Sequence, residues 1–135
     1  MNLYRLGLDD VSATPDLLLP SPVPLVAHSF AHDSGTLVLQ ELHPDMGRNI
    51  LFLPLDGRGQ TTTFAGSTSN EKSPVVSPDG NWVAYGSDQS GSDEVYLRSV
   101  DQDTAARPSP VELPVMKMVC GIEFLSLLVW YLSPR

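Results

Sequence analysis

The sequence predicts an all-β fold assembled from a repeated unit of about 45 residues, the spacing typical of stacked β-sheet repeats. Short apolar runs rich in β-branched and aromatic residues alternate with polar turns along the chain. The 12 prolines and 10 glycines are spread through the sequence and cluster near the turns, which argues against long helices. One pattern of turn, apolar run, loop and apolar run occurs more than once.

The repeating pattern is clearest in SPVVSPDGNWVAYGSDQSGSDEVYLRSVD, residues 73–101. Its Ser-Pro-Asp-Gly segment predicts a β-turn, because Pro78 fixes φ, Asp79 can accept a backbone N–H and Gly80 closes the exit. The apolar run after the turn predicts a strand, and residues 87–93 predict a hairpin loop before a second strand. A single hairpin is marginal in water, so further strands are expected elsewhere in the chain.

Copies of both strands occur at nearly constant spacing. Gly35 and Val38 precede Gly80 and Val83 by 45 residues, and residues 49–56 lie over residues 94–101 at the same spacing without a gap. Residues 2–9 are a third copy of the strand that follows the hairpin loop, since Leu3 precedes Ile50 by 47 residues. Residues 128–133 copy the strand that precedes the hairpin loop, since Val129 follows Val83 by 46 residues.

A period near 45 with several short strands per unit is typical of β-propeller blades. The string SPDGNWVAYGSDQSGSDEVYLRS also resembles the repeat of TolB-like propellers, a WD-repeat-like group with the consensus Ser-Pro-Asp-Gly, apolar strand, Ser-Asp-x-x-Gly, Ile/Val-Tyr-Val. The match is specific over residues 74–99, weaker over 17–57 and poor over 115–127. The layout is similar, too, to propeller segments fused to bacterial serine/threonine kinases and serine peptidases.

The resemblance implies four strands per blade. In the first complete blade, residues 22–66, strands are predicted at 25–30, 36–40, 49–55 and 61–65. In the second, residues 67–113, they are predicted at 73–77, 81–86, 94–100 and 111–113. The two chain ends share one split blade: residues 1–21 hold its third and fourth strands (2–9 and 16–19), and residues 114–135 its first and second (115–121 and 127–133).

Three blade equivalents cannot close a ring, since propellers typically have about four to eight blades. A homodimer would supply six, the number that the resemblance implies, with each split blade completed by the partner's C-terminal strands. The alternative is a piece of a longer chain, because Phe124-Leu125-Ser126 stands where a Pro-Asp-Gly turn is expected. In the first interpretation the partner is a second copy of the chain. In the other interpretation the partners are further propeller blades.

Charge and hydropathy exclude some partners. The 16 acidic and 8 basic residues give a net charge of −8, which disfavours nucleic acid, because binding to phosphates needs clustered Lys and Arg. The most apolar segment, residues 122–132, is shorter than the ~20 residues of a membrane helix. Residues 1–10 do not resemble a secretory signal, which favours the cytoplasm. TolB-like relatives are often periplasmic, so the compartment stays open.

Two groups of polar residues are candidates for a metal site. His28 and His32, beside Asp33, lie on one face of a predicted strand but about 13 Å apart, too far for one ion. Residues 88–94 alternate oxygen-bearing side chains that suit a hard cation. They lack the EF-hand spacing and match the ordinary hairpin loop of the resembling repeat. No metal or cofactor site is therefore predicted.

The other residues of interest have structural explanations. Asp56, Asp79 and Asp101 are predicted turn carboxylates. Cys120 is the only cysteine, which excludes an intrachain disulfide, and it lies in an apolar run predicted to be buried. Aromatic residues on strands are predicted to pack between blades; these are Trp82, Tyr85, Tyr96 and Trp130.

Three function classes follow, and the first is favoured by analogy of fold. The chain is predicted to be a non-catalytic interaction or ligand-binding propeller module. The alternatives are an accessory or sensor segment of a larger kinase or peptidase, and a small propeller hydrolase or lyase. No nucleophile elbow, phosphate loop, dinucleotide fingerprint or zinc-protease motif occurs, so no catalytic residue is predicted.

Overall fold

The computed structural model describes residues 1–7, 14–31 and 35–100, and the backbone of residues 113–117. Within these ranges there is no helix, and hence none that could span a bilayer. The strands are β1 Asn2–Arg5, β2 Asp16–Pro20, β3 Leu25–Ala31, β4 Thr36–His43, β5 Gly47–Pro54, β6 Thr62–Ala65, β7 Lys72–Val76, β8 Trp82–Ser87, β9 Glu94–Ser99 and β10 Leu113–Lys117.

The strands form three antiparallel sheets, which confirms the predicted all-β class. β1 and β2 form a two-stranded sheet, called the N-terminal hairpin below. The first sheet has the order β3-β4-β5-β6, and the second sheet has the order β7-β8-β9-β10. Each strand of the first sheet begins and ends within a few residues of its predicted position. The predicted strands 2–9 and 16–19 are also observed as a pair, although β1 ends at Arg5.

The predicted Ser-Pro-Asp-Gly turn joins β7 to β8. Gly80 has a φ of 75° and donates its N–H to Ser77 O at 2.9 Å. Asp79 accepts the backbone N–H of Asn81 at 3.1 Å, and the Ser77 hydroxyl donates to the same carboxylate oxygen. These hydrogen bonds hold the pKa of Asp79 below its ordinary value of 3.8, with the bond from Ser77 the largest cause. The turn residues therefore act locally, as predicted for Asp79.

The fourth strand of the second sheet lies later in the chain than predicted. It was expected at residues 111–113, but β10 runs from Leu113 to Lys117 and pairs with β9. Residues 115–117, predicted to begin a strand of a separate blade, thus belong to the second sheet. Pro114 lies within β10. Proline is tolerated there because β10 is an edge strand of the described sheet and its pairing is irregular between Pro114 and Met116. The predicted strand 127–133 lies outside the described residues.

Strand pairing in the two larger sheets differs by one residue. Val38 pairs with Phe52, so the 45-residue spacing would pair Val83 with Leu97, but Val83 pairs with Arg98 instead. The connections explain the difference, because β4 and β5 are joined through residues 44–46 and β8 and β9 through the longer loop 88–93. Register in a hairpin depends on loop length.

The N-terminal hairpin, the first sheet and the second sheet stack face to face as three layers. Side chains alternate along each strand, so Leu37 and Leu39 face the hairpin while Val38, between them, faces the second sheet. The contact with the hairpin adds leucines from both sides: Leu3, Leu18, Leu19, Leu51, Leu53 and Leu55. Because both faces of the first sheet are covered over its two central strands, β4 and β5 contain almost continuous buried runs.

Aromatic rings fill the core between the two larger sheets. Phe52 stacks on Phe64 at 4.6 Å between ring centroids, and Phe64 meets Tyr85 edge-on at 6.2 Å. Tyr85 in turn stacks on Tyr96 at 5.9 Å. Tyr85 and Tyr96 thus pack between sheets, as predicted. Trp82 differs, since 38% of it remains exposed, and Trp130 lies outside the described residues.

Backbone contacts at one end of the stack join the two larger sheets. Arg48 O accepts the N–H of Glu71 at 2.9 Å, and Gln40 Nε2 donates to Glu71 O at 2.8 Å. Gly47 fits here because its φ is 81° and a Cβ would lie 2.3 Å from Ser69 O. The turn between β4 and β5 therefore touches the segment that leads into β7.

Candidate functional site

An open groove of about 300 Å³ lies between strand β3 of the first sheet and the N-terminal hairpin. One wall is β1 with part of β2, and the other is β3 with Leu37 of β4. The two strands of the hairpin pack over β4 and β5 of the four-stranded sheet and leave β3 uncovered. The groove is what remains of that uncovered face.

The edge of β1 that borders the groove has no paired strand among the described residues. In both larger sheets the corresponding strand is paired on each side: β5 lies between β4 and β6, and β9 between β8 and β10. The N–H and C=O groups along such an edge are a ready template for another strand. The groove therefore combines an apolar floor with an available backbone edge.

The side chains that line the groove are mainly apolar, and two aromatic rings stand out. Phe30 of β3 is 65% exposed and Tyr4 of β1 is 55% exposed. Large exposed apolar side chains grouped in one place typically mark an interaction surface. The Ser29 hydroxyl is buried without a hydrogen-bond partner in the described part of the chain, but Ser29 pairs with Val38 and so its side chain lies on the opposite face of the sheet. At the rim Arg5 pairs with Asp16 at 3.2 Å, but both are exposed, so the pair contributes little stability.

His28 takes part in a hydrogen-bonded connection between the sheets. Its Nε2 lies 3.1 Å from Gln40 Oε1, and the amide nitrogen of Gln40 donates to Glu71 O. The other members of the candidate metal group, His32 and Asp33, lie outside the described residues. Within the described ranges, no three His, Cys, Asp or Glu side chains are placed to hold a metal ion.

The carboxylates of the 88–94 segment bond to protein groups. Asp88 accepts two hydrogen bonds from Asn70, one from the side-chain amide and one from the backbone N–H, each at 2.8 Å. Lys72 contacts Asp93 at 2.7 Å, and the Tyr96 hydroxyl donates to Glu94 at 3.2 Å. The contacts of Asp88 and Asp93 fasten the β8–β9 loop to Asn70 and Lys72, at the start of β7. The hydrogen bonds from Asn70, the side-chain bond first, hold the pKa of Asp88 below its ordinary value of 3.8.

Replacing Asp88 by asparagine should lower the free energy of unfolding by about 1 kcal/mol at pH 7, since charge-assisted hydrogen bonds are lost at a partly exposed site. A depressed pKa in the folded state stabilises the protein above the unfolded value of 3.8, and this contribution is lost as the pH falls through the lower folded value. The difference between wild type and Asp88→Asn should therefore shrink well below pH 3.8. Urea titrations at several pH values measure it. A difference that grew on acidification would contradict this role for Asp88, and exposed Asp45→Asn is the control.

The remaining predicted site residues have local contacts. Asp56 accepts the backbone N–H of Arg58 at 3.0 Å and pairs with its side chain at 3.2 Å, as expected for a turn carboxylate. Asp101 and Cys120 lie outside the described residues. Sequence analysis missed Tyr4 and Phe30, the aromatic residues of the groove. The repeat gives one signal: residues 2–9 are a copy of β5 and β9, and each of those strands is paired on both sides.

No protein-family model matches this sequence, and a search of curated proteins also finds no match. Function must therefore be inferred from the chain itself.

Proposed function

We propose that this chain is a non-catalytic protein-interaction module built from β-propeller-type blades, and that it works by association through the groove. The open groove beside the unpaired edge of β1 is the observation that carries the proposal. Two layers of the stack have four strands and the third has two. A partner that supplies extended strands would complete the third layer.

Two features support the blade architecture. Each larger sheet is a four-stranded antiparallel meander, the unit from which propellers are built. Val38 and Val83, which are related by the repeat, both lie on the second strand of their sheet and both belong to the core between the sheets. The repeat in sequence thus corresponds to a repeat of sheets stacked face to face.

The chemistry of the groove favours an extended polypeptide as the bound partner. Strand addition derives its affinity from main-chain hydrogen bonds at an exposed edge, and its specificity from alternate side chains in adjacent pockets. β1 supplies the edge, and the exposed rings of Tyr4 and Phe30 supply apolar contacts. The polar residues considered for metal binding, such as His28 and Asp88, are instead bonded to the protein side chains of Gln40 and Asn70.

Replacing Phe30 by aspartate tests the proposal. The wild-type chain should have a mass above the 14.7 kDa of one copy in size-exclusion chromatography with light scattering. Phe30→Asp should shift it towards one copy, with at least tenfold weaker association, because a carboxylate in the contact loses its hydration. Met46→Asp is the matched control, since Met46 is also a half-exposed apolar residue but lies away from the groove. A monomeric wild type, or equal association of both variants, would contradict the proposal.

A further inference from the structure

We infer that the groove is filled by a second copy of this chain, whose residues 127–133 pair with the unpaired edge of β1. This inference rests on the proposed function and names the partner. Residues 127–133, with the sequence LLVWYLS, lie outside the described residues. The segment would be contributed reciprocally, so that each copy completes the third layer of the other.

The repeat identifies which strand is missing beside β1. Residues 2–9 are the copy of the strands β5 and β9, and residues 128–133 are the copy of β8. β8 pairs with β9, and its counterpart β4 pairs with β5. By the same arrangement, a strand with the sequence of residues 128–133 belongs on the unpaired edge of β1.

The spacing also predicts the register. Leu3 precedes Ile50 by 47 residues, so Arg5 corresponds to Phe52, the partner of Val38 in the first sheet. Val38 corresponds to Val129 through Val83, which places Val129 opposite Arg5 and Trp130 opposite Tyr4. The register of the second sheet, shifted by one residue, would place Tyr131 opposite Tyr4 instead. In both registers an aromatic side chain of the segment meets Tyr4.

The chemistry of the segment fits the groove. Residues 127–133 contain no charged side chain, and the groove is lined mainly by apolar residues. Each copy carries a net charge of −8, so electrostatic attraction between whole copies does not drive association. Apolar burial and main-chain hydrogen bonds along β1 must supply the driving force. Added salt should therefore strengthen the association, because it screens the repulsion between copies.

The number of blades that propellers contain favours a second copy as the source of the segment. If the segment added to β1 of its own chain, the ring would have to close with three sheets. Propellers are built from about four to eight blades. Two copies that exchange the segment would form six sheets, which lies within this range.

Disulfide trapping between single-cysteine chains tests the exchange. Tyr4→Cys and Trp130→Cys are each made with Cys120→Ser, tagged differently, mixed and mildly oxidised. A covalent mixed dimer is expected, because side chains directly opposite each other have Cβ atoms about 4.5–5.5 Å apart. Tyr131→Cys with Tyr4→Cys tests the alternative register. Arg58→Cys with Trp130→Cys is the control without crosslinking, since Arg58 is exposed in the turn after β5.

A chain that carries both cysteines separates exchange from closure within one chain. A covalent dimer supports the inference, and a monomer with an internal disulfide overturns it. A synthetic peptide of residues 126–134 gives a measurement that does not depend on mutation: it should convert the wild type to single copies, whereas a scrambled peptide should not. If neither register crosslinks and the peptide has no effect, the inference fails. The proposed function survives that result provided that Phe30→Asp still weakens association.

Discussion

Replacing Tyr85 by alanine should lower the free energy of unfolding by about 3–5 kcal/mol, as for other large aromatic-to-alanine substitutions in cores. Tyr85 is only 1% exposed and lies between Phe64 of the first sheet and Tyr96 of the second. Its removal leaves a cavity at the contact between the two sheets. Since domains are typically stable by about 5–15 kcal/mol, this one change removes a large share of the total.

Urea unfolding followed by tryptophan fluorescence and circular dichroism measures the effect of Tyr85→Ala. Met46→Ala is the matched control, because this side chain is half exposed in a turn and its loss should change stability by less than about 0.5 kcal/mol. A loss of less than 1 kcal/mol for Tyr85→Ala would mean that the two sheets do not pack through this ring. It would also contradict the face-to-face stack.

Replacing Gly47 by alanine should be almost as damaging, for two separate reasons. The φ of 81° lies in the left-handed region, which costs an alanine about 1–2 kcal/mol. In addition, the new Cβ would lie 2.3 Å from the backbone oxygen of Ser69, so the turn or the segment before β7 must move. Movement there would disturb the hydrogen bond from Glu71 to Arg48 O. A total loss above 2 kcal/mol is expected from the two effects, together with weaker coupling of the sheets.

Gly57→Ala separates the two effects on stability. Gly57 has a similar φ of 85°, but no atom lies within 4 Å of the position of its Cβ. It should therefore show the cost of the backbone conformation alone. Hydrogen exchange should show faster exchange of the Glu71 amide in Gly47→Ala but not in Gly57→Ala. Equal losses of stability in the two variants would rule out a role for the contact with Ser69.

The sequence predicted the strands where turn chemistry and apolar runs agree. Gly80 and Asp79 place the start of β8, and the spacing of 45 residues transfers that position to β4. The strand predicted at 111–113 was wrong in its bounds, because β10 continues through Pro114 to Lys117 and only the pairing shows that β10 lies at an edge, where proline is tolerated. The one-residue difference in register likewise depends on the geometry of the 88–93 loop, which composition does not reveal.

The groove was harder to predict than the strands. The imbalance of strand copies at the chain ends indicated that one layer is incomplete. This imbalance did not indicate that Phe30 would be exposed. Phe30 and Ala31 lie on opposite faces of β3, and alternation alone does not show which face is buried. Only the stacking of the hairpin over β4 and β5 shows that the neighbouring face of β3 stays open.

The meander order of the two larger sheets has a consequence for how the chain acquires its structure during synthesis. Every hydrogen-bonded strand pair described above joins neighbours in sequence, so each hairpin can form as soon as its second strand has left the ribosome. The strand pairing of the first sheet needs nothing beyond Ala65, and the hairpin leucines that cover one of its faces, Leu3, Leu18 and Leu19, are made earlier still. Hydrogen-bonded hairpins can thereby form in the order of synthesis, and the apolar face of the first sheet around Val38 and Ile50 is covered when the second sheet follows.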